Sequence, residues 1–301
     1  MYRSKVLSIS DGDMDGVTCQ IIIGNVFDKR GITYVTASHN TINDILNKID
    51  FDKYDYVFIT DISPKSNNLA YQLNYDKIIL IDHHDTCQDL HDSSNDKFIV
   101  KDMCSASMLR NFLTNNGANI DYLDTLITLV DDYDMWTEVC PGSKDLARLF
   151  YNYKPITFKR RFFSGLKEFS PKDLHIIEKD KLKLKQLTED LKKDQNYKLL
   201  PFINAITLFA SSFTNEIAHQ KLSEGYNVVF VVNKYYNVSV RSRLDDIHIG
   251  KVLKEKGIGG GHKYAAGFPA TDFTNTDKLI NTVCDSVYEN SLSLRKDSIY
   301  S

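Results

Sequence analysis

The chain has 301 residues, a formal net charge of −3, and 42% hydrophobic and 26% charged side chains. That is enough for two ordinary domains, each with its own core, and too apolar for intrinsic disorder. The charge excludes a global basic field for nucleic acid, although cations bound in an acidic cleft would reverse the sign locally.

The N-terminal segment MYRSKVLSIS runs straight into a strand and has no signal-peptide core. No apolar stretch approaches a membrane span, so a cytoplasmic chain is expected. Its five cysteines, Cys19, Cys87, Cys104, Cys140 and Cys284, are scattered and form no CxxC. They indicate free thiols in a reducing cytosol rather than disulfides or a zinc knuckle.

Short, continuous, partly β-branched runs at Val6 to Ser10, Tyr56 to Thr60 and Ile78 to Ile81 predict buried parallel strands. Helical stretches alternate with them, at Val17 to Phe27 and at Asn67 to Leu73, which predicts βαβ units in a doubly wound sheet. Ser105 reads as a helix N-cap, and Leu123, Leu126, Ile127 and Val130 form an apolar stripe on the next helix. The lysine-rich stretch Pro171 to Tyr197 reads as a solvated helical connector. Its apolar stripe is Leu174, Ile177, Leu182, Leu184, Leu187 and Leu191. After Pro201 a second α/β pattern begins, with strands near Ile203 to Phe209, Asn227 to Val232 and Asn237 to Arg241 and a helix from Asp277 to Tyr288. The expected class is α/β: a parallel-sheet domain over 1–170, a helical linker over 171–200, and a smaller α/β domain over 201–301.

Each of the three N-terminal strands ends in acid. The first leads into Asp11-Gly12-Asp13-Met14-Asp15-Gly16, the second into Asp61, the third into Asp82-His83-His84-Asp85. Ligand crevices of open α/β sheets lie at the carboxyl ends of the strands, so these side chains are expected to converge. Asp131, Asp132 and Asp134 add acid at the end of the Leu123 to Val130 helix. Carboxylates packed so densely call for divalent cations, and mixed Asp and His ligands suit Mn²⁺ better than Ca²⁺. Singly the signals are weak. A lone DxDxD is most often a polar turn, the EF-hand continuation is missing, and His-His in a strand-end loop is more often structural.

In order, SDGDMDG, ITD, IDHHD and LVDDYDMW resemble the four motifs of the DHH phosphoesterase family. The first has the form seen in RecJ-type nucleases, whereas NrnB-type nanoRNases usually carry His in place of Asp11. In the C-terminal part, VSVRS followed by GIGGGHKYAAGF resembles that family's GGGH substrate-binding domain. The resemblance implies a metal-dependent phosphodiesterase, an oligonucleotide exonuclease, with two divalent cations, Mn²⁺ preferred and Mg²⁺ the alternative. It assigns Asp11, Asp13, Asp15, Asp61, His83 and Asp134 as metal ligands, with Asp61 as the bridge. Asp82 would orient a histidine and His84 would reach the scissile phosphate. Asp134 is preferred to Asp131 and Asp132 because it precedes Met135-Trp136; the other two read as helix-end solvation.

Glycines in Gly259-Gly260-Gly261 could let backbone N–H groups approach an anion, or form a flexible turn; a Walker A loop is excluded by spacing. With Arg241 upstream and His262 following, phosphate recognition by Arg241, Gly260, Gly261 and His262 is the better reading, and Arg243 either assists or is a surface residue. Tyr235, Tyr236 and Tyr264 permit base stacking but suit a core or strand equally. The expected substrate is short single-stranded RNA or DNA, because full RecJ enzymes carry a further oligonucleotide-binding domain. Cyclic dinucleotides, pAp and longer single-stranded DNA are alternatives, as are a non-catalytic binding module and an inorganic pyrophosphatase. No membrane partner is implied, and a homodimer stays open.

Overall fold

The computed structural model describes residues 4–64, 77–84, 98–99, 103–193, 198–200 and 203–297. The chain divides into two compact units, Met1–Asp180 and Lys181–Ser301. The expected helix at Asn67 to Leu73 lies outside the described residues, as do Asp85 and Cys87. No helix among the described residues is long and apolar enough to cross a membrane. The other four cysteines are free thiols.

The first unit is built on a parallel sheet of β1 (Val6–Ser10), β2 (Ile32–Thr36), β3 (Tyr56–Thr60), β4 (Ile78–Ile81) and β5 (Phe98–Ile99), in the order β2-β1-β3-β4-β5. Strand direction alternates side chains between two faces. Val6, Phe58, Ile79 and Ile81 pack beneath α1 (Met14–Val26), α3 (Ser105–Asn115), α4 (Asp124–Asp134) and α5 (Ser143–Phe162). Leu7, Ile9, Val57, Ile59, Ile78 and Leu80 pack against Ile42 and Leu46 of α2 (Ile42–Lys48) on the other. Burial on both faces explains why β1, β3 and β4 read as continuous apolar runs. Edge strand β2 is half exposed and carries no such run.

Helix α1 starts three residues before its expected position, with Asp13 as N-cap accepting from Gly16 N–H at 3.0 Å. Ser105 is the first residue of α3, and Cys104 is its N-cap. That corrects the capping expectation; the N–H of Ser105 has another use, described below. Within α5 the helix kinks at Lys154 (φ 64°, ψ 161°), the residue before Pro155, which is disfavoured in the helical region. In α6 (Pro171–Lys193) the expected stripe is divided. Ile177 is buried in the first unit and Leu184 and Leu187 pack in the second, while Leu174 and Leu182 are 50% and 66% exposed. Leu191 lies outside the residues whose side chains are described.

The second unit holds a mixed sheet, β6 (Lys198–Leu200), β7 (Ala205–Phe209), β8 (Val228–Val232), β9 (Asn237–Ser242), β10 (Gly260–Gly261) and β11 (Ala265–Pro269), ordered β10-β11-β9-β8-β7-β6. Only β7 and β8 pair in parallel. One face, with Phe230, Val240 and Phe268, packs on α8 (Ile249–Glu255) and α9 (Phe273–Asp297). The other, with Ile206, Leu208, Val229 and Val231, packs on α7 (Thr214–Ser223).

Candidate metal centre

The strand order places the topological switch between β1 and β3, which leave their neighbours β2 and β4 on opposite sides. Asp11, Asp13 and Asp15 follow β1, Asp61 follows β3, and Asp82, His83 and His84 follow β4. The chain tightens sharply here. A Cβ on Gly16 would lie 2.4 Å from the carbonyl oxygen of Asp11, so only glycine lets the first turn of α1 fold back on this loop. Asp61 is buried in the left-handed region (φ 60°), its N–H donating to Ile81 at 2.9 Å. Such backbone strain in a non-glycine residue is typical of functional loops.

Ligand atoms of three groups each lie within 4.8 Å of one another: Asp61, His83 and His84; Asp15, His83 and Asp134; Asp11, Asp13 and Asp61. His83 Nε2 stands 3.2 Å from Asp134 Oδ2, 3.3 Å from Asp61 Oδ1 and 4.0 Å from Asp15 Oδ2. The N-terminus of α3 fixes Asp15: Ser105 N–H donates to its Oδ2 at 2.7 Å and Ala106 N–H to its Oδ1 at 2.8 Å. His84 Nδ1 lies 2.6 Å from Asp82 Oδ1, and Ser63 Oγ donates to Asp82 Oδ2 at 2.6 Å. The His39 and His84 rings meet at right angles, with centroids 5.7 Å apart.

Burial raises every perturbed carboxyl here. It pushes Asp15 to about 6, with Asp13 adding to it and the N–H groups of Ala106 and Ser105 pulling back. Burial, then the charges of Asp13, Asp15 and Asp134, hold Asp61 well above the carboxylate range. Asp134 is raised well above it by burial, then by Asp15 and Asp13. Asp11 is raised by burial and by Asp13. Burial alone would lower His84, but the hydrogen bond and charge of Asp82, with Asp134 and Asp13 behind, raise it to about 9. Among the described residues, Asp61 Oδ2 and Asp134 Oδ2 are buried and receive no hydrogen bond. Buried, mutually repelling oxygens that make no hydrogen bond fit divalent cations as partners.

The fourth acidic motif separates. Asp134 joins the cluster, while Asp131 and Asp132 do not, and neither is merely solvated. Asp131 Oδ1 accepts the N–H of Cys104 at 2.8 Å, which anchors α3. Asp132, 3% exposed, accepts from Val139 N–H at 2.7 Å, Thr137 Oγ1 at 2.8 Å and Cys140 N–H at 3.0 Å. Burial opposes its ionisation, yet hydrogen bonds from Ser143, Thr137, Val139 and Cys140 hold its carboxyl low. The solvation reading fails because the chain after α4 turns back over these acids.

In the second unit Arg241 lies on β9 between Val229 and Ala265. Its Nη2 donates to Asn215 Oδ1 at 2.7 Å and its Nη1 to the Val240 carbonyl at 3.0 Å. Arg243 instead ties down the α7–β8 turn, donating to Asn227 Oδ1 and the Gly225 carbonyl at 2.9 Å and to the Leu222 carbonyl at 3.3 Å. Gly260 and Gly261 form a strand against Gly267 and Ala266 rather than an open nest at a helix start. The N–H of His262 is taken by the Ala265 carbonyl at 2.7 Å, and its carbonyl accepts from Gly250 N–H at 3.2 Å. Tyr264 donates to Asp245 at 3.0 Å, and Tyr235 is 69% exposed beside Lys234. Ser63, Ala106, His39 and Asn215 carried no sequence signal, and Ser105 read only as a helix cap. Two of them act through backbone N–H groups, which every residue type has.

Residues 178–289 match the family model of the DHHA1 domain. No curated protein sequence matches the chain. The Mn²⁺ complex of RecJ from Thermus thermophilus aligns with a TM-score of 0.59 and 16% identity, over 97% of this chain and 52% of that one. PggH, a pGpG-specific phosphodiesterase from Vibrio cholerae, gives 0.56 and 14% over 95% and 99%. An exonuclease RecJ bound to manganese gives 0.50 and 17% over 93% and 89%. The chain therefore spans about half the length of Thermus RecJ, and at these identities the likeness is one of fold. The second unit thus matches a DHHA1 domain, and the whole chain shares its fold with RecJ and PggH.

Proposed function

We propose that the chain is a metal-dependent phosphodiesterase that hydrolyses short single-stranded oligonucleotides to nucleoside monophosphates. The observation that carries this reading is the convergence of Asp11, Asp13, Asp15, Asp61, His83 and Asp134, with buried carboxylate oxygens that lack hydrogen-bond donors. These six residues would hold two divalent cations, Mn²⁺ by preference. Asp61 would serve both: it belongs to two of the three ligand groups, as His83 does, but its carboxylate alone offers two oxygens. Bound there, such cations supply charge neutralisation at the phosphate and acidify the attacking water. Asp82, 2.6 Å from His84 Nδ1, would hold a proton there and orient the imidazole so that Nε2 faces a phosphate oxygen. Arg241 and His262 would hold the remainder of the substrate.

Short substrates are supported by the likeness to PggH, a pGpG-specific phosphodiesterase, over 95% of this chain and 99% of that one. The test is a panel with Mn²⁺: RNA and DNA di- to pentanucleotides, a long single strand, cyclic di-AMP, pAp and pyrophosphate. Release of mononucleotides from the short oligonucleotides, lost in Asp61→Ala, is expected. Turnover of the long strand or of pyrophosphate in preference to them overturns the substrate assignment. A folded Asp61→Ala protein with wild-type turnover overturns the metal chemistry.

A further inference from the structure

One residue at the N-terminus of α3 touches two of the ligand carboxylates. Ser105 donates its N–H to Asp15 Oδ2 at 2.7 Å and its Oγ to Asp61 Oδ1 at 3.4 Å. Asp15 follows β1 and Asp61 follows β3, and the two share none of the three ligand groups, so Ser105 ties together carboxylates of separate groups. It is fully buried, and its hydroxyl does no capping, because Cys104 is the N-cap and α3 has no side-chain cap hydrogen bond. Alanine, present at the next position, is the better helix former, so the helix itself gives no reason for a hydroxyl here. Asp61 does: its Oδ2 is buried and makes no hydrogen bond, and its Oδ1 faces His83 Nε2 at 3.3 Å.

We infer that Ser105 is a positioning residue that sets Asp61 as the carboxylate shared by the two cations, its hydroxyl fixing the Asp61 side chain against an Asp15 that its own N–H already holds. The inference rests on the metal-centre reading proposed above. Partners that orient a ligand are commonly worth about 10- to 100-fold in metal affinity. A shared carboxylate depends on such a partner more than a ligand to one ion does, because a rotation that suits one cation takes an oxygen from the other. A serine hydroxyl suits the task. It donates without adding charge, and it leaves further lone pairs on Oδ1 and those of Oδ2 for cations. At 3.4 Å the bond is longer than the roughly 2.5–3.0 Å usual for O–H···O, so it adds little to the stability of the cation-free fold. A hydroxyl kept only for packing makes the opposite prediction: its loss would show in the melting temperature and not in the cations.

The full-length chain, unaltered and as Ser105→Ala, is stripped of cations and titrated with Mn²⁺ by calorimetry, and the loaded proteins are compared by electron paramagnetic resonance. The unaltered chain is expected to bind two Mn²⁺ that give the signal of a magnetically coupled pair. Ser105→Ala should keep the cation-free melting temperature, raise the Kd of at least one Mn²⁺ about tenfold, and weaken or abolish the coupled signal at equal loading. Ser105→Thr, which retains the hydroxyl, should bind Mn²⁺ more tightly than Ser105→Ala and recover the coupled signal. Equal affinity and an unchanged coupled signal in Ser105→Ala overturn the inference, as does a lowered cation-free melting temperature with unchanged Mn²⁺ affinity, which makes the hydroxyl a packing group. A folded Ser105→Thr protein that binds Mn²⁺ no better than Ser105→Ala overturns it too. An unaltered chain that binds no coupled pair removes the metal-centre reading itself, an outcome distinct from a pair that is present and indifferent to Ser105.

Discussion

Asp82 Oδ1 lies 2.6 Å from His84 Nδ1, so the acid of the Asp-His-His run serves the second histidine and leaves the first to face Asp134 and Asp61. The two adjacent imidazoles, 4.5 Å apart by ring centroid, thereby have different tasks. Asp82→Asn should lower kcat by about 10- to 100-fold, the usual loss when an orienting partner is removed. Metal content should hold, because His83 keeps its own contacts. In cation-free protein the His84 titration, raised to about 9 with Asp82 in place, should fall, since burial then acts with less opposition. Kinetics, metal analysis and an NMR titration on one preparation check the three statements together.

The acid cluster makes the cation-free protein less stable as pH rises. Asp15 is raised to about 6, and Asp61 and Asp134 well above their unfolded value of about 3.9. A raised folded pKa gives stability that is present below the unfolded value and lost as pH climbs through the folded one. His84, raised to about 9, contributes stability that is full below its unfolded value of about 6.5 and is lost through pH 9, in the same direction. The melting temperature without cations should therefore fall from pH 5 to pH 9, and Mn²⁺ should raise it most at the alkaline end. A flat profile contradicts the repulsion argument.

Asp61→Asn follows from the same physics with opposite effects on stability and function. Removing one buried charge should raise the cation-free melting temperature by a few degrees, while the Mn²⁺-induced rise shrinks and turnover drops by at least about 10³-fold. Calorimetry with and without Mn²⁺ beside a rate assay decides it. A lower melting temperature without cations would mean that Asp61 is held by favourable contacts rather than frustrated.

The fourth motif offers a contrast between neighbours. Asp132→Ala should destabilise the first unit by roughly 1–3 kcal/mol, because the N–H groups of Val139 and Cys140 lose their acceptor. Asp134→Asn should leave the fold intact and abolish turnover. Asp131→Asn keeps an amide oxygen for the Cys104 N–H and should retain most activity. Urea denaturation and rates across the three variants separate the acid that shapes the loop from the acid that serves the site.

Strands β1, β3 and β4 were legible to the residue because burial on both faces leaves no charged residue within them. Half-exposed β2 lacked that signature, and Pro155 concealed α5 as one kinked element. The convergence of Asp11, Asp13, Asp15, Asp61 and His83 could be read from strand-end acids alone, since a parallel sheet gathers its carboxyl ends. What could not be read were the partners that fix those acids. Ser105 and Ala106 hold Asp15 through N–H groups, and Asn215 meets Arg241 across 26 residues of sequence. Asp132 looked solvated because the loop that buries it follows the helix and has no distinctive composition.

The GGGH segment allows backbone and side-chain roles to be tested apart. Gly261 sits at φ 143°, and a Cβ there would fall 2.5 Å from the Ala265 carbonyl oxygen, so Gly261→Ala should distort β10 and lower the melting temperature. The main chain of His262 bonds Ala265 and Gly250, and those bonds survive truncation of its side chain. His262→Ala should therefore keep the β10 pairing and its Mn²⁺ content. If the imidazole holds the substrate, oligonucleotide cleavage should fall by about 10²-fold, while a small activated phosphodiester, which needs less positioning, should suffer much less. If the side chain only packs the second unit, melting temperature and both activities should decline together, as in Gly261→Ala. Measuring metal content, melting temperature and both rates on the two variants distinguishes these outcomes, and parallel loss on both substrates with a lowered melting temperature would remove His262 from the site.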